Sequence, residues 1–324
     1  MTTPWPISFD DVLAARERLR PYLSPSPLRQ YPQLDALVGH GIRVYVKHEN
    51  HLPVQTFKVR NGLSAVTALD DATRARGVIG ASTGNHGQGM AYAGMLLGVP
   101  TTIVVPEGNN PDKNAAIRAL GATLVEFGAT YDASAAHCAD LAATRGLHLI
   151  HGINDRTVIA GAATMSLEMI EQEPGLDVVF IALGGGSQAV GALTVARELK
   201  PALKVVAVQS EAAPAQYESW KSGAIVRGRP VRTFAEGIAT GHAYEVTFPA
   251  LREGLADFLL VSEAALADAL RQLIRTTHNL PEGAAAGGLA GLRTVAAQFA
   301  GQKVGIVMCG GNIGVEALAR VLNG

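Results

Sequence analysis

An α/β fold with mostly parallel sheet is predicted by three features of the sequence. From Val78 onward, short apolar runs alternate with helical patterns, the βαβ rhythm that makes strands run parallel with helices on their faces. The rhythm restarts at Val178 after a helical stretch over 157–171. Glycine is frequent, 36 of 324 residues, and clusters where apolar runs end and helical patterns begin. Glycine so placed makes backbone into a ligand-binding surface rather than a flexible linker.

In chain order, 9–23 carries Val12, Leu13 and Leu19 at helical spacing with arginines between them, and reads as an amphipathic helix. Pro21, Pro25 and Pro27 then stop helical structure, so Ser26, Pro27 and Leu28 are expected to be extended. Residues 42–46 alternate like a strand and lead through the irregular stretch 51–54 to a short helix headed by Lys58. The first βαβ set places strands at 78–81, 101–105 and 123–127, with helices at 88–97, 112–120 and 133–144. The second places strands at 178–183, 204–209, 258–261 and 304–308, and helices at 188–199, 263–276, 284–299 and 311–322. Between them, 210–254 reads as loop with short helices.

Composition narrows the function. A chain this long and 48% hydrophobic buries a full core in one large or two medium domains. A net charge of -1 points away from nucleic acid and anionic membranes. Two cysteines, Cys138 and Cys309, make no disulfide framework and fit a reducing cytoplasm. Residues 1–6 lack a basic segment followed by an apolar one, so no signal peptide is expected. No uncharged apolar run reaches membrane-spanning length.

Three loops and one lysine carry chemistry. Lys58 is expected as an exposed amine at a helix start, where the positive end of the dipole lowers its proton affinity, and no carboxylate partner is evident in the sequence. An amine so tuned can form a Schiff base with an aldehyde. Gly184-Gly185-Gly186-Ser187 joins a buried strand to a helix, and three glycines with a hydroxyl favour an anion site over a plain tight turn. The G-x-G-x-x-G spacing and a following Gly-Lys-Ser/Thr are both missing, which sets aside dinucleotide and P-loop sites. Ser82-Thr83-Gly84-Asn85-His86-Gly87 makes the same kind of junction. An N-cap explains one polar residue there, but a cradle for a carboxylate or phenolate explains four. Cys309 ends the last strand, where α/β proteins bind ligands, although an isolated thiol is more often inert. No Cys or His lies near it at zinc-ligand spacing.

Taken together, Thr56-Phe57-Lys58-Val59-Arg60, the Ser82–Gly87 loop, the 184–187 loop and Cys309-Gly310-Gly311-Asn312 resemble the fold-type-II pyridoxal-phosphate enzymes. The closest branch is the serine/threonine dehydratase (ammonia-lyase) family, which also includes serine racemases. Lys47-His48-Glu49-Asn50, 235–240 and 281–284 support the match, which spans nearly the whole chain in order. The resemblance implies two open, twisted, mostly parallel sheets with helices on both faces and the cofactor in the cleft between domains. A large domain of 1–71 and 150–324 would carry a small inserted domain, 72–149. Lys58 would hold pyridoxal 5'-phosphate and shuttle the substrate's α-proton, with Phe57 against the ring. Asn85 would bond the phenolic oxygen, and Gly184, Gly185, Gly186 and Ser187 would cradle the phosphate. Ser82, Thr83, Gly84 and His86 would hold the substrate carboxylate, and Cys309 would face the pyridine nitrogen.

A thiol is too weak an acid to keep that nitrogen protonated. A neutral ring favours prompt loss of a β-substituent, so the expected reaction is dehydration of L-threonine, L-serine or a related 3-hydroxy amino acid to a 2-oxo acid and ammonia. The cofactor phosphate near Ser187 is the expected proton donor to the leaving hydroxide. The alternative is a racemase, in which Thr83 relays a proton on the face opposite Lys58. Cysteine synthesis by β-replacement fits less well, because those relatives carry Ser-Val-Lys-Asp-Arg where this chain has Thr56-Phe57-Lys58-Val59-Arg60. The chain departs from the family at Asn61-Gly62, at Ser187-Gln188 and at Gly241-His242, where relatives often carry an arginine. Glu211 matches an acidic ligand for a divalent cation (Mg or Ca), but Gln216 and Tyr217 stand where another is expected, so no metal site is assigned. The resemblance further implies a homodimer, and because the sequence stops at Gly324 no appended regulatory segment is expected.

Overall fold

The computed structural model describes residues 5–324, so most of the segment read for a signal peptide, residues 1–4, lies outside it. Ten strands form two sheets. They are β1 (Leu28–Gln30), β2 (Arg43–His48), β3 (Val78–Ala81), β4 (Thr101–Val105), β5 (Thr123–Glu126), β6 (His148–Leu149), β7 (Val178–Ala182), β8 (Lys204–Ser210), β9 (Asp257–Val261) and β10 (Lys303–Met308). The larger sheet has the order β1-β2-β10-β7-β8-β9, and the smaller β5-β4-β3-β6. Every pairing is parallel except β1 with β2. Val178, Val179, Phe180 and Ile181 are all buried, as befits a central parallel strand covered on both faces.

Helices set the site between these sheets. Lys58–Thr67 packs on Asn85–Leu97 with backbone nearly touching backbone. A Cβ on Gly62 would lie 2.2 Å from the Gly89 carbonyl oxygen, and one on Gly89 would lie 2.3 Å from that of Lys58. Only glycine permits that approach. On its other side, Lys58–Thr67 packs on Arg156–Gln172, where Gly161 meets Arg60 and Ser64.

Several expected elements differ. The first helix is Phe9–Leu19 and stops before Pro21 instead of reaching residue 23. The helix expected over 284–299 is a 3-10 turn (Gly283–Ala286), an α-helix (Gly287–Val295) and a second 3-10 turn (Ala296–Phe299). The last helix starts at Val315, not 311, because residues 309–312 bond to the lysine segment and to Asn85. Pro32–Val38, Asp71–Arg76 and the two-residue β6 had no counterpart in the sequence reading. Among the described residues, no helix is long and apolar enough to cross a membrane.

Candidate active site

The segment before Lys58 is tied to the end of β10. Phe57 N–H donates to the Cys309 carbonyl at 3.0 Å, Thr56 bridges Gly310, and Gly311 N–H donates to the Gln55 carbonyl at 2.9 Å. Val54 and Gln55 adopt φ of 54° and 48°, a left-handed pair that a β-branched residue rarely takes. The Val54 carbonyl accepts from Asn312 Nδ2 at 2.9 Å, so neighbouring groups hold the strained turn. It delivers Lys58 to the first position of its helix, with Nζ 4.8 Å from the Phe57 ring centre.

The sequence suggests an exposed amine with no evident carboxylate partner; the structure half-buries Lys58 and brings Glu282 within electrostatic reach without an ion pair among the described residues. Burial is the main cause that lowers Lys58 to about 8, while the nearby Glu282 carboxylate pulls the other way. Cys309 Sγ lies 3.8 Å from Glu282 Oε1, and burial raises its pKa well above the ordinary thiol value, so it stays protonated. Glu282 is also pushed up by burial, against the hydrogen bonds of Asn85. Asn85 Nδ2 donates to both Glu282 oxygens at 2.9 Å, and Asn85 Oδ1 accepts from Asn312 at 2.9 Å.

The Ser82–Gly87 loop leads from β3 into the helix Asn85–Leu97. Ser82 Oγ accepts from Gly84 N–H at 3.1 Å and Gly87 N–H at 2.8 Å, so its oxygen shapes the loop. Thr83 is exposed. His86 is buried, neither ring nitrogen makes a hydrogen bond of good geometry among the described residues, and burial lowers its pKa to about 3 against a weak pull from the Ile150 backbone. A buried neutral imidazole without partners is a ligand group awaiting a ligand. Lys113 reaches over this loop, close to Gly84, and pairs with Glu236 from the turn Glu236–Ile238.

Between β7 and the helix Ser187–Leu199, the carbonyls of the glycine loop are held by side chains. Gln216 Nε2 donates to the Gly184 carbonyl at 2.8 Å, and Thr247 Oγ1 to that of Gly185 at 2.9 Å. The first N–H groups of the helix have no helical acceptors and face the anion-binding end. Gly186 has φ 97°, and a Cβ on Gly185 would strike Ile153 at 2.2 Å, so the loop requires its glycines. These groups fit pyridoxal phosphate: a thiol that stays protonated, an amine of lowered basicity, a carboxamide and a backbone cradle.

Gln216, which stands in place of a metal ligand, thus serves the glycine loop. Glu211 is exposed just after β8, and among the described residues no group of three or more His, Cys, Asp or Glu side chains is arranged to hold a metal ion. Glu236, Glu282 and Asn312 lie in stretches that carried the resemblance, but no role was read for them. His151 and Lys113 were missed. The signal for His151 was its place just after β6, the carboxyl end of a parallel strand, but that strand is too short to read from pattern.

Two mostly parallel sheets, a lysine amine at a helix start and a backbone anion cradle are the architecture of a fold-type-II enzyme that works through pyridoxal phosphate. The chain belongs to the pyridoxal-phosphate dependent enzymes, whose family model matches residues 19–310. It is 36% identical over 317 residues to an L-threo-3-hydroxyaspartate ammonia-lyase of a Pseudomonas species, covering 98% of this chain and 99% of the relative. It is 35% identical to the Saccharomyces cerevisiae protein of the same name, with 98% and 97% covered. Among solved structures, the T.th. threonine deaminase superposes with a TM-score of 0.89 at 36% identity, covering 95% of this chain and 99% of that one. Serine racemase from Dictyostelium discoideum gives 0.89 at 31%, with 96% and 100% covered.

Proposed function

We propose that the protein is an ammonia-lyase that removes water from a 3-hydroxy amino acid, leaving an enamine that hydrolyses to a 2-oxo acid and ammonia. The observation that carries this reading is the half-buried Lys58 at the head of its helix, tied through the Phe57 N–H to the Cys309 carbonyl beside a thiol that stays protonated. Bound here, pyridoxal phosphate supplies the electron withdrawal that acidifies the substrate's α-hydrogen. Lys58 holds the cofactor and takes the α-proton, and a pKa near 8 lets it act as a base close to neutral pH. Phe57 would lie against the cofactor ring, Asn85 would bond its phenolic oxygen, and Gly184, Gly185, Gly186 and Ser187 would hold its phosphate. Ser82, Thr83, Gly84 and His86 orient the substrate carboxylate. Cys309 leaves the pyridine nitrogen neutral, which disfavours transamination.

The names of the relatives support 3-hydroxyaspartate as first substrate, with L-threonine and L-serine after it. The reading includes two units, 1–71 with 150–324 and 72–149, which close around the cleft in a cytoplasmic homodimer. A racemase is the second reading, favoured by the exposed Thr83 hydroxyl beside the substrate loop and by the racemase neighbours.

A panel of 3-hydroxy amino acids assayed for ammonia and 2-oxo acid, with the chirality of residual substrate followed in parallel, separates the two. Oxo acid outpacing inversion supports the lyase, and the reverse overturns it. The Lys58→Ala variant should fold, lose turnover and show no cofactor fixed to it by borohydride. Retained activity in that variant would refute the assignment of Lys58.

A further inference from the structure

We propose that His151 and His242 bind the side-chain carboxylate of the substrate, so that the site selects a 3-hydroxy amino acid with two carboxylates over serine or threonine. The inference rests on the ammonia-lyase reading and adds to it the residues that read the side chain. His151 lies in the crossing from β6 to the helix Arg156–Gln172, just ahead of Gly152, which packs on the His86 ring, and Ile153, which packs on Gly185. The substrate loop and the anion loop therefore meet at this segment.

The hydrogen bonds of His151 settle its tautomer. Nδ1 accepts from Ile153 N–H at 3.1 Å and Asn154 N–H at 2.9 Å, so the proton sits on Nε2. Among the described residues, nothing accepts from that Nε2–H, and His242 likewise has no hydrogen-bond partner. The His151 ring stands edge-on to Tyr244 at 6.2 Å, and the His242 ring tilts against the same tyrosine at 4.6 Å. Tyr244 is buried, so the two imidazoles are held on a fixed ring. His151 is within electrostatic reach of both His242 and Lys58, and His86 is within reach of His151. His151 therefore links the Lys58 side of the site to His242.

Serine ends at the hydroxyl that leaves, and threonine adds only a methyl group. Neither offers a second carboxylate to these donors. A carboxylate on the β-carbon accepts both N–H groups, and half-buried donors that pair with a ligand group favour ligands that carry it over those that lack it.

The test compares kcat/KM on L-threo-3-hydroxyaspartate and on L-serine in the holoenzyme. It also compares inhibition by L-aspartate and L-alanine, which lack the leaving hydroxyl. His242→Phe and His151→Asn, whose amide oxygen can replace Nδ1 in the loop, should each lower the hydroxyaspartate-to-serine ratio by about tenfold or more, the scale of one charge-assisted hydrogen bond. They should weaken L-aspartate relative to L-alanine by the same factor. His151→Gln, whose amide N–H can replace that of Nε2, should recover part of the ratio. Unchanged ratios in both variants, or a wild-type enzyme that turns over serine but not hydroxyaspartate, would overturn the proposal. Failure of the wild type on every hydroxy amino acid would instead defeat the ammonia-lyase reading. The aspartate-to-alanine comparison, followed through the cofactor's absorbance, would still decide the role of the histidines.

Discussion

The backbone N–H of Phe57 donates to the carbonyl of Cys309 at 3.0 Å, which fixes the lysine segment against the end of β10 across most of the chain's length. The Lys58 amine and the Cys309 thiol consequently share one buried pocket with Glu282. Replacing the thiol with a carboxylate should protonate a bound pyridine nitrogen and move product partition toward racemisation or transamination. Cys309→Asp should therefore release less oxo acid per α-proton exchanged, measured by solvent deuterium entering residual substrate. It should also lose about 1–3 kcal/mol of stability, because a second buried carboxyl joins Glu282. An unchanged partition would remove the argument from the neutral ring.

Burial holds Lys58 near 8, so its neutral, nucleophilic form is already appreciable at physiological pH. A lysine with a lowered pKa becomes reactive at lower pH than an ordinary one. The rate at which apoenzyme takes up pyridoxal phosphate should rise about tenfold per pH unit below that value and level off above it. Stopped-flow absorbance between about pH 6 and 10 would measure it across the range that separates a lowered from an ordinary lysine. A midpoint close to the ordinary lysine value would show that the amine is solvated.

Gly185 faces Ile153, with room for no side chain. Gly185→Val overpacks the loop at a cost of about 1–3 kcal/mol, and the cofactor's dissociation constant should rise roughly ten- to hundredfold. Fluorescence titration of the apoenzyme checks this. Pairing Gly185→Ala with Ile153→Ala removes the obstruction and should recover most of the affinity. Failure to recover would mean that the anion does not lie on this loop.

The parallel architecture was legible because β7, β8 and β10 are continuous apolar runs bounded by turn or polar residues. The lysine and the three loops were legible because their residue types are unusual at strand–helix junctions. Their electrostatics were not. Glu282 reaches Lys58 and Cys309 through folding alone, and no spacing announces a carboxylate from that far along the chain. The broken helix at 283–299 was missed because its alanine-rich composition hides the turn at Gly283. His151 was missed for a related reason, since a two-residue strand leaves no periodicity behind.

Arg60, two residues after Lys58, anchors the lysine helix in a buried ion network. Its guanidinium bonds Glu49 at 2.7 and 3.0 Å and Glu168 at 2.6 and 2.8 Å, and Lys47 adds a further bond to Glu168 at 2.6 Å. Two cations balance two anions, with side chains at most 11% exposed. Deleting one member strands charge in the interior, so Arg60→Met should cost about 3–5 kcal/mol, and Arg60→Lys should restore only part because it lacks the planar fork. The loss should depend on pH. Burial raises the Glu168 carboxyl, but Arg60 and Lys47 outweigh this and hold it below its ordinary value. A carboxylate with a depressed folded pKa stabilises the fold above its unfolded pKa, and that contribution fades as pH falls through the folded value. Without Arg60 the depression largely disappears, so the gap between wild type and variant should be widest near neutral pH and should narrow as pH falls below about 4, through the lowered folded value of Glu168. Urea unfolding at several pH values measures the gap. A constant gap would mean that Arg60 contributes packing and hydrogen bonds to uncharged groups, and that the network's charges do not set the position of the Lys58 helix.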